Sequence, residues 1–527
     1  MGRVCFQGRA VMAAPRGSFM LVPNDPKPTL ASRCGHPHRR LPLARLLVAQ
    51  VAIYSTLSGR HIARRIRSAV HSRALCDGAT AHFWPGAHQT RRVADLTVAL
   101  TDLGKSVPLE REGMVMAGAD DVFGTLRQTV RRDFSAVSHG EAMRRAREIV
   151  PVLRERAQRS EDARGLIREN EQLLHESGLF RFHQPKTFGG MELDFVAVVD
   201  IPAELGRGCP STAWNVGNLG CHHWILGYYD PETQHEVWGA NPDSLIASSI
   251  ALAAGRARTA DGGFIVNGRW PFSSGVDNSD WNMLAVTVYG DDGKTPIDWR
   301  LCLVPKSDYE IIDTWFAMGM AGTGSKDIAV TELFVPERRA LQLQRCRGGY
   351  EHPGAALNTG PLNGIPVVAG SSHPLAPAAV GAAEGAYEMF LASMAKRAGT
   401  YTGARVADFQ AVQIKVARAR CLIDSARDLL RQSAIAFQGA AKSETMPDLA
   451  TKLRYRSHSA FAVGQAREAV ETLWSCYGAQ GLYTRDPLQR HLRDVLAMNQ
   501  HFSFNFDIAG AAYGMHALGG LHGNPTM

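Results

Sequence analysis

The chain has 527 residues, 45% of them hydrophobic and 20% charged, with a formal net charge of +8. That balance is ordinary for a soluble globular protein, and the length allows more than one domain. The nine cysteines are scattered and form no CxxC pair, which argues against a disulfide framework or a structural zinc site and fits a reducing, cytoplasmic compartment.

The charge is uneven. Residues 1–113 hold 17 Lys+Arg against 6 Asp+Glu, so the remainder is slightly acidic. A basic arm can bind nucleic acid or an acidic membrane. This one lacks aromatic interleaving, a zinc spacing and a helical basic stripe, and no nucleic-acid partner is expected. Its longest apolar stretch, LLVAQVAIY, falls far short of the roughly 20 residues that span a bilayer, so no membrane segment is expected either. Residues 1–115 show no sustained period of two or 3.6. They are expected to be a basic extension, disordered or non-native, with the functional chain starting near Met114, Met116 or Met143; an Arg-rich transit peptide is the alternative.

From about residue 120 the pattern changes. EAMRRAREIVPVLRERAQRSEDARGLIRENEQLLHESGLF has apolar positions at helical spacing with charges between them. Pro151 is expected to start or kink a helix rather than sit in its middle, and Gly178 to stop one. Further helices are expected over 195–206, 211–227 and 231–240. From Ser244 to Pro336, SLIASSIAL, GGFIVNGRWPF, WNMLAVTVYG, WRLCLVP and IAVTELFVP read as strands separated by turn chemistry. Long helices follow over 374–397, 405–438, 445–478 and 487–517, an antiparallel bundle by length and spacing. The reading is α+β, mainly α: a helical domain (116–243), a central β-domain (244–365) and a C-terminal helical bundle (366–527). Neither GxGxxG nor GxxxxGK[ST] occurs, so no Rossmann or P-loop nucleotide site is indicated.

Four stretches could carry chemistry. In WPFSSGVDNSDW, strand parity puts Trp270, Phe272 and Ser274 on one face and Ser273 on the other. An aromatic wall with one hydroxyl suits a flat, largely apolar ring system; the alternative is core aromatics and a serine-capped turn. In MGMAGTGSKD, Thr323, Gly324 and Ser325 offer small side chains and free backbone donors, although glycine-rich turns are common between strands. In RDVLAMNQHFSFNFD, Asp494, Met498, His501 and Asn505 line one face of the last helix, and Asn505 could hold His501 in one orientation for acid–base work, although a lone helical histidine is more often structural. In GNLGCHHWILGYY, the adjacent His222 and His223 point different ways and make a poor metal pair; one could face a pocket while the other packs. No metal site is expected.

ESGLFRFHQPKTFGG, NGRWPFSSG, FAMGMAGTGSKDIAVTELFVPERR, YGAQGLYTRDPLQRHLRD and the terminal segment occur in the order found in the acyl-CoA dehydrogenase superfamily. The resemblance spans roughly residues 120–520. It implies a helical domain, a β-domain and a four-helix bundle holding a flavin, usually in a homotetramer. Many acyl-CoA dehydrogenases carry a glutamate base shortly after the RD pair. This chain has none between Asp494 and its last residue. His501 and FSSG instead resemble the flavin-dependent monooxygenases of the same fold, the oxygenase components of two-component systems such as 4-hydroxyphenylacetate 3-hydroxylase. In that branch Ser274 matches the serine bonded to the central flavin ring, His501 matches the C-terminal histidine, and His223, with His222 as the alternative, matches a second one. The resemblance thus implies catalytic Ser274, His501 and His223. Trp270, Phe272, Ser273, Ser274, Thr323, Gly324 and Ser325 are expected around the cofactor, and His222 and Asn505 around the substrate. It implies reduced FMN or FAD delivered by a separate flavin reductase, O2, and hydroxylation of a small phenolic substrate through a flavin hydroperoxide. An acyl-CoA dehydrogenase with a displaced base and a non-catalytic flavin-binding homologue are the alternatives.

Overall fold

The computed structural model describes residues 132–521, 523 and 527; the expectations for residues 1–115 lie outside the described residues. Ser138 accepts the Glu141 N–H and opens α1 (His139–Ala163). Pro151 lies inside α1, correcting the expectation that it would not sit mid-helix. Its ring is exposed, while Ala146, Ile149, Val150 and Leu153 bury on either side, and that packing offsets the missing backbone bond. Helix α2 (Arg168–Ser177) ends on Gly178 at φ 76°, the left-handed stop anticipated there. Helices α3 (Ala197–Gly206) and α4 (Pro210–Leu226) are buried along their whole length, the signature of interior helices.

One eight-stranded sheet follows, ordered β6-β7-β3-β2-β4-β5-β8, with β1 paired parallel to β4. The strands are β1 (Ile246–Ser249), β2 (Gly255–Ala260), β3 (Gly263–Ser273), β4 (Trp281–Tyr289), β5 (Pro296–Pro305), β6 (Glu310–Ile312), β7 (Lys326–Pro336) and β8 (Ala340–Gln342). The polar β2 and the three-residue β6 and β8 had no apolar run to announce them.

The irregularity that matters sits at the end of β3. Trp270 pairs with Ile328 and Ser273 with Lys326, so β3 spends three residues where β7 spends two. This bulge puts Phe272 at φ 63°, a left-handed backbone that costs a side-chain-bearing residue ~1–2 kcal/mol. Alternation fails as a result: Phe272 is 66% exposed while both Ser273 and Ser274 are buried.

The C-terminal region contains α5 (Ala376–Met394), α6 (Gln410–Lys442) and α7 (Leu449–Trp474), which pack on one another. The single helix expected over 487–517 is instead α8 (Pro487–Met498) and α9 (Phe506–Ala517), with a tight turn at Phe502–Phe504 between them. His501 accepts the Ser503 N–H and Asn505 accepts the Ile508 N–H, and these local bonds end one helix and restart another. Among the described residues no helix is long and apolar enough to cross a membrane.

The core holds neutral histidines. Burial lowers His183 and His373 to about 3 and His222, His352 and His491 to about 4. Below pH ~6.5 the unfolded chain binds protons that the fold refuses, at roughly 1.4 kcal/mol per pH unit per histidine until the folded pKa is reached. Asp494, raised to about 7 by burial, acts oppositely, but it is one group against five. The midpoint of thermal unfolding is therefore expected to fall by at least ~5 °C between pH 7 and pH 5. Scanning calorimetry showing an unchanged or higher midpoint at pH 5 would contradict this.

Candidate functional site

One face of α4 meets the β-domain. Trp214, Asn215, Asn218 and His222 recur at helical spacing along it. Trp214 Nε1 donates to Ser274 Oγ at 3.1 Å, and Asn218 donates to the Ser274 carbonyl at 3.2 Å. Asn215 donates to the Gly322 carbonyl at 3.4 Å, while its Oδ1 is buried without a protein partner. His222 Nδ1 donates to the Ile246 carbonyl at 2.6 Å. Sequence reasoning missed Trp214, Asn215 and Asn218. Their signal was a polar row on an otherwise apolar helix.

Across from this face, three hydroxyls form a row. Ser274 Oγ lies 2.7 Å from Ser325 Oγ, which lies 2.6 Å from Thr323 Oγ1, and Thr323 donates to the Met320 carbonyl at 2.8 Å. Counting protons gives the row a direction. Thr323 spends its only proton on a carbonyl that can only accept, so Ser325 donates to Thr323 and Ser274 donates to Ser325. Trp214 fills one lone pair of Ser274, and the other stays open. The backbone closes the arrangement, with the Gly275 N–H on the Thr323 carbonyl at 2.9 Å and Gly275 itself at φ 73°. Gly324, at φ 57°, shapes the turn between Thr323 and Ser325.

Several expected neighbours lie elsewhere. Trp270 is a core residue: its indole donates to the Ala285 carbonyl at 2.8 Å and fills the space beside Gly255 and Gly268. Phe272 does not share its face, because the bulge turns it outward against the edge of Trp315. Ser273 accepts from Asn282 at 2.8 Å and supports the sheet end rather than joining the row. The ring that walls Ser274 comes from α4, as Trp214.

Trp214 also meets His501, edge to face at 5.5 Å between ring centres. His501 is half-buried, and burial, helped by Arg456, lowers it to about 4. Its Nδ1 accepts the Ser503 N–H at 3.3 Å, which puts the proton of the neutral ring on Nε2. Asn505, expected to orient His501, is exposed and caps α9 instead.

The two adjacent histidines separate cleanly. His223 is buried, stacked on Trp238, and accepts the Trp238 indole N–H at 3.0 Å, while its Nε2 has no protein partner; it lies one residue off the row of Trp214, Asn218 and His222. His222 is the one on the face toward the β-domain; its Nδ1–H is committed to Ile246, which leaves Nε2 as an acceptor.

The donor set suits a flat ring with a polar edge. Trp214 supplies an apolar wall, Ser274 an open lone pair, and Asn215 an unpartnered acceptor. A ring N–H fits Ser274 without disturbing any other bond of the row. Among the described residues no group of His, Cys, Asp and Glu is arranged to hold a metal ion.

Two stretches match family models: the acyl-CoA dehydrogenase N-terminal domain over residues 142–238 and the acyl-CoA dehydrogenase C-terminal domain over residues 374–506. The chain is 34% identical to the flavin-dependent monooxygenase oxygenase subunit HsaA of Rhodococcus jostii, over 72% of this chain and 98% of that protein. It is 32% identical to the oxygenase component of the FADH2-dependent resorcinol hydroxylase of a Rhizobium species, over 72% of this chain and 95% of that protein. Its fold superposes on the Streptomyces protein XiaF, solved with FADH2 and glycerol, with a TM-score of 0.68 and 26% identity, over 77% of this chain and 98% of that one. With nearly the full length of such relatives matched, the chain belongs to the acyl-CoA dehydrogenase superfamily, in the branch of the flavin-dependent monooxygenase oxygenase components.

Proposed function

We propose that this protein is the oxygenase component of a two-component monooxygenase that hydroxylates a small phenolic compound. The observation that carries the reading is the row Trp214–Ser274–Ser325–Thr323 with His501 against Trp214. Ser274, Ser325, Thr323, Asn215 and Trp214 are the residues that would hold the flavin, FMN or FAD. When bound in its reduced form, the flavin activates O2 so that one oxygen atom can enter an aromatic ring.

The chain's own residues supply binding, dryness and proton control. The buried face of α4 keeps water from Ser274. Ser274 engages a nitrogen at the ring edge. His222 and His501 are both held neutral near pH 7 by burial, and they carry opposite tautomers. His222 offers Nε2 as an acceptor, suited to hold the proton of a phenol hydroxyl in a hydrogen bond and draw electron density into its ring. His501 offers Nε2–H, suited to donate a hydrogen bond to an oxygen in the site, and neither ring changes its charge. Of the relatives named above, one is an FADH2-dependent resorcinol hydroxylase and another a flavin-dependent monooxygenase, which supports a flavin cofactor and a phenolic substrate.

Because the sequence has no NAD(P)H-binding fingerprint, reduced flavin would come from a separate reductase. A homotetramer in the cytoplasm completes the proposal. Self-association is supported by the exposed Phe461, Phe502, Phe506, Ile508 and Leu518 near the end of the chain.

Purified protein supplied with a generic flavin reductase, NADH, O2 and a panel of phenols is expected to give a ring-hydroxylated product. Ser274→Ala is expected to divert several-fold more of the reducing equivalents to hydrogen peroxide. His501→Ala is expected to slow hydroxylation by about 10²–10⁴-fold. Absence of any hydroxylated product, with bleaching of bound oxidised flavin by an acyl-CoA, would reject the reading. A separate check concerns the histidine pair. His223→Phe is expected to cost ~1–3 kcal/mol of stability by stranding the Trp238 N–H, while sparing the coupling of NADH use to product. His222→Phe strands the Ile246 carbonyl at a similar cost, and it is also expected to uncouple NADH use from product. Chemical denaturation and product yield measured on the same samples distinguish the two.

A further inference from the structure

The turn that ends the hydroxyl row is held in an unfavourable shape from outside. Met320 has φ 57°, and among the described residues it and Phe272 are the only apolar ones with a left-handed backbone. Helix α8 holds it there. Asp494 Oδ1 accepts the Met320 N–H at 2.6 Å, and Arg493 donates to the Met318 carbonyl at 2.6 Å. Gly319 lies so close to α8 that a Cβ there would stand 2.2 Å from the Arg493 carbonyl oxygen. Asp494 is buried, and its second oxygen has no protein partner, so the carboxyl is kept at an energetic disadvantage that a plain packing residue would avoid.

We propose that Asp494 is a positioning residue that makes the site favour reduced over oxidised flavin, acting through the Met320 backbone on the polarity of the hydroxyl row. The inference rests on the flavin reading above. Held by Asp494, the Met320 carbonyl faces Thr323 Oγ1 at 2.8 Å and Trp315 Nε1 at 3.0 Å. Thr323's proton is thereby committed, then Ser325's, then Ser274's, each pointing away from the ligand side. With Trp214 on one lone pair, Ser274 presents its remaining lone pair outward and acts as an acceptor. Reduced flavin carries an N–H on its central ring. The oxidised ring has a bare nitrogen there, which needs a donor. The row also ends on a backbone carbonyl, which is no base, so a proton shared with Ser274 has no path out along it.

Loss of the Asp494 bond lets Met320 relax and frees Thr323 from its carbonyl. Ser325 can then donate to Ser274, both Ser274 lone pairs fill, and its own proton turns outward. The site becomes a donor, matched to the oxidised ring. Thr323→Val reaches the same end by another route: it leaves Ser325's proton without an acceptor except Ser274. Asp494→Asn keeps an oxygen for the Met320 N–H and should preserve the original polarity.

The test is the ratio of dissociation constants for oxidised and reduced FAD and FMN, measured anaerobically by equilibrium ultrafiltration. Wild type is expected to bind the reduced form at least ~10-fold more tightly, about 1.4 kcal/mol. Asp494→Ala and Thr323→Val are expected to bring the ratio to one or below, and Asp494→Asn to keep it within about threefold of wild type. A wild-type ratio near one, or a ratio that both Asp494→Ala and Thr323→Val leave unmoved, overturns the inference while leaving the flavin reading intact. So does an Asp494→Asn protein as altered as Asp494→Ala. A wild type that binds neither form of either flavin overturns both. Thr323→Val, which needs no change in α8, decides the matter if Asp494→Ala does not fold.

Discussion

A hydroxyl has one proton to give, and that constraint organises the centre of this molecule. Ser274, Ser325 and Thr323 are buried in contact, and the Met320 carbonyl at the end of the row can only accept. Every direction in the row follows from that end. The parts come from distant segments: the indole from α4, one hydroxyl from the end of β3, two from the turn before β7, and the anchor for that turn from α8. The helical domain, the sheet and the C-terminal helices therefore have to meet here. Among the described residues the two apolar side chains on left-handed backbones, Phe272 and Met320, bracket the row. Each costs ~1–2 kcal/mol, a pattern found where a fold gives up stability to aim particular groups.

Much of the architecture was legible in the sequence. The five main strands read as short runs of Val, Ile, Leu and aromatics between turn residues, the long helices read from their length and the breaks between them, and Gly178 stops its helix as its placement indicates. The site was less legible, for identifiable reasons. Parity pointed to Ser274, but through a shared face with Trp270 and Phe272 that the bulge at Phe272 abolishes. Ser274 reaches its partners because the bulge buries two consecutive serines. Trp214 was hidden because α4 is buried all round, and an aromatic on such a helix reads as one more core residue. The break before α9 was hidden because apolar spacing runs on through the segment, while the capping bonds of His501 and Asn505 override it. Adjacent His222 and His223 could not be separated by spacing at all; only their partners, the Ile246 carbonyl and the Trp238 indole, decide which way each ring points.

Those partners also set what each imidazole can do. A neutral histidine is one donor and one acceptor, and the bond made by the first nitrogen determines the role left to the second. His222 donates inward and His501 accepts inward, so their outward nitrogens are complementary. Burial keeps both rings uncharged at neutral pH, which preserves that complementarity; two protonated rings would both be donors. Stability and chemistry are linked at this point, because the burial that makes the protein acid-sensitive also keeps these tautomers available.

The direction of the hydroxyl row is open to direct observation by neutron diffraction from a deuterated crystal of the flavin-free protein. The Ser274 deuteron is expected on the line to Ser325, the Ser325 deuteron on the line to Thr323, and the Thr323 deuteron toward the Met320 carbonyl. A Ser325 deuteron pointing at Ser274 would contradict that direction.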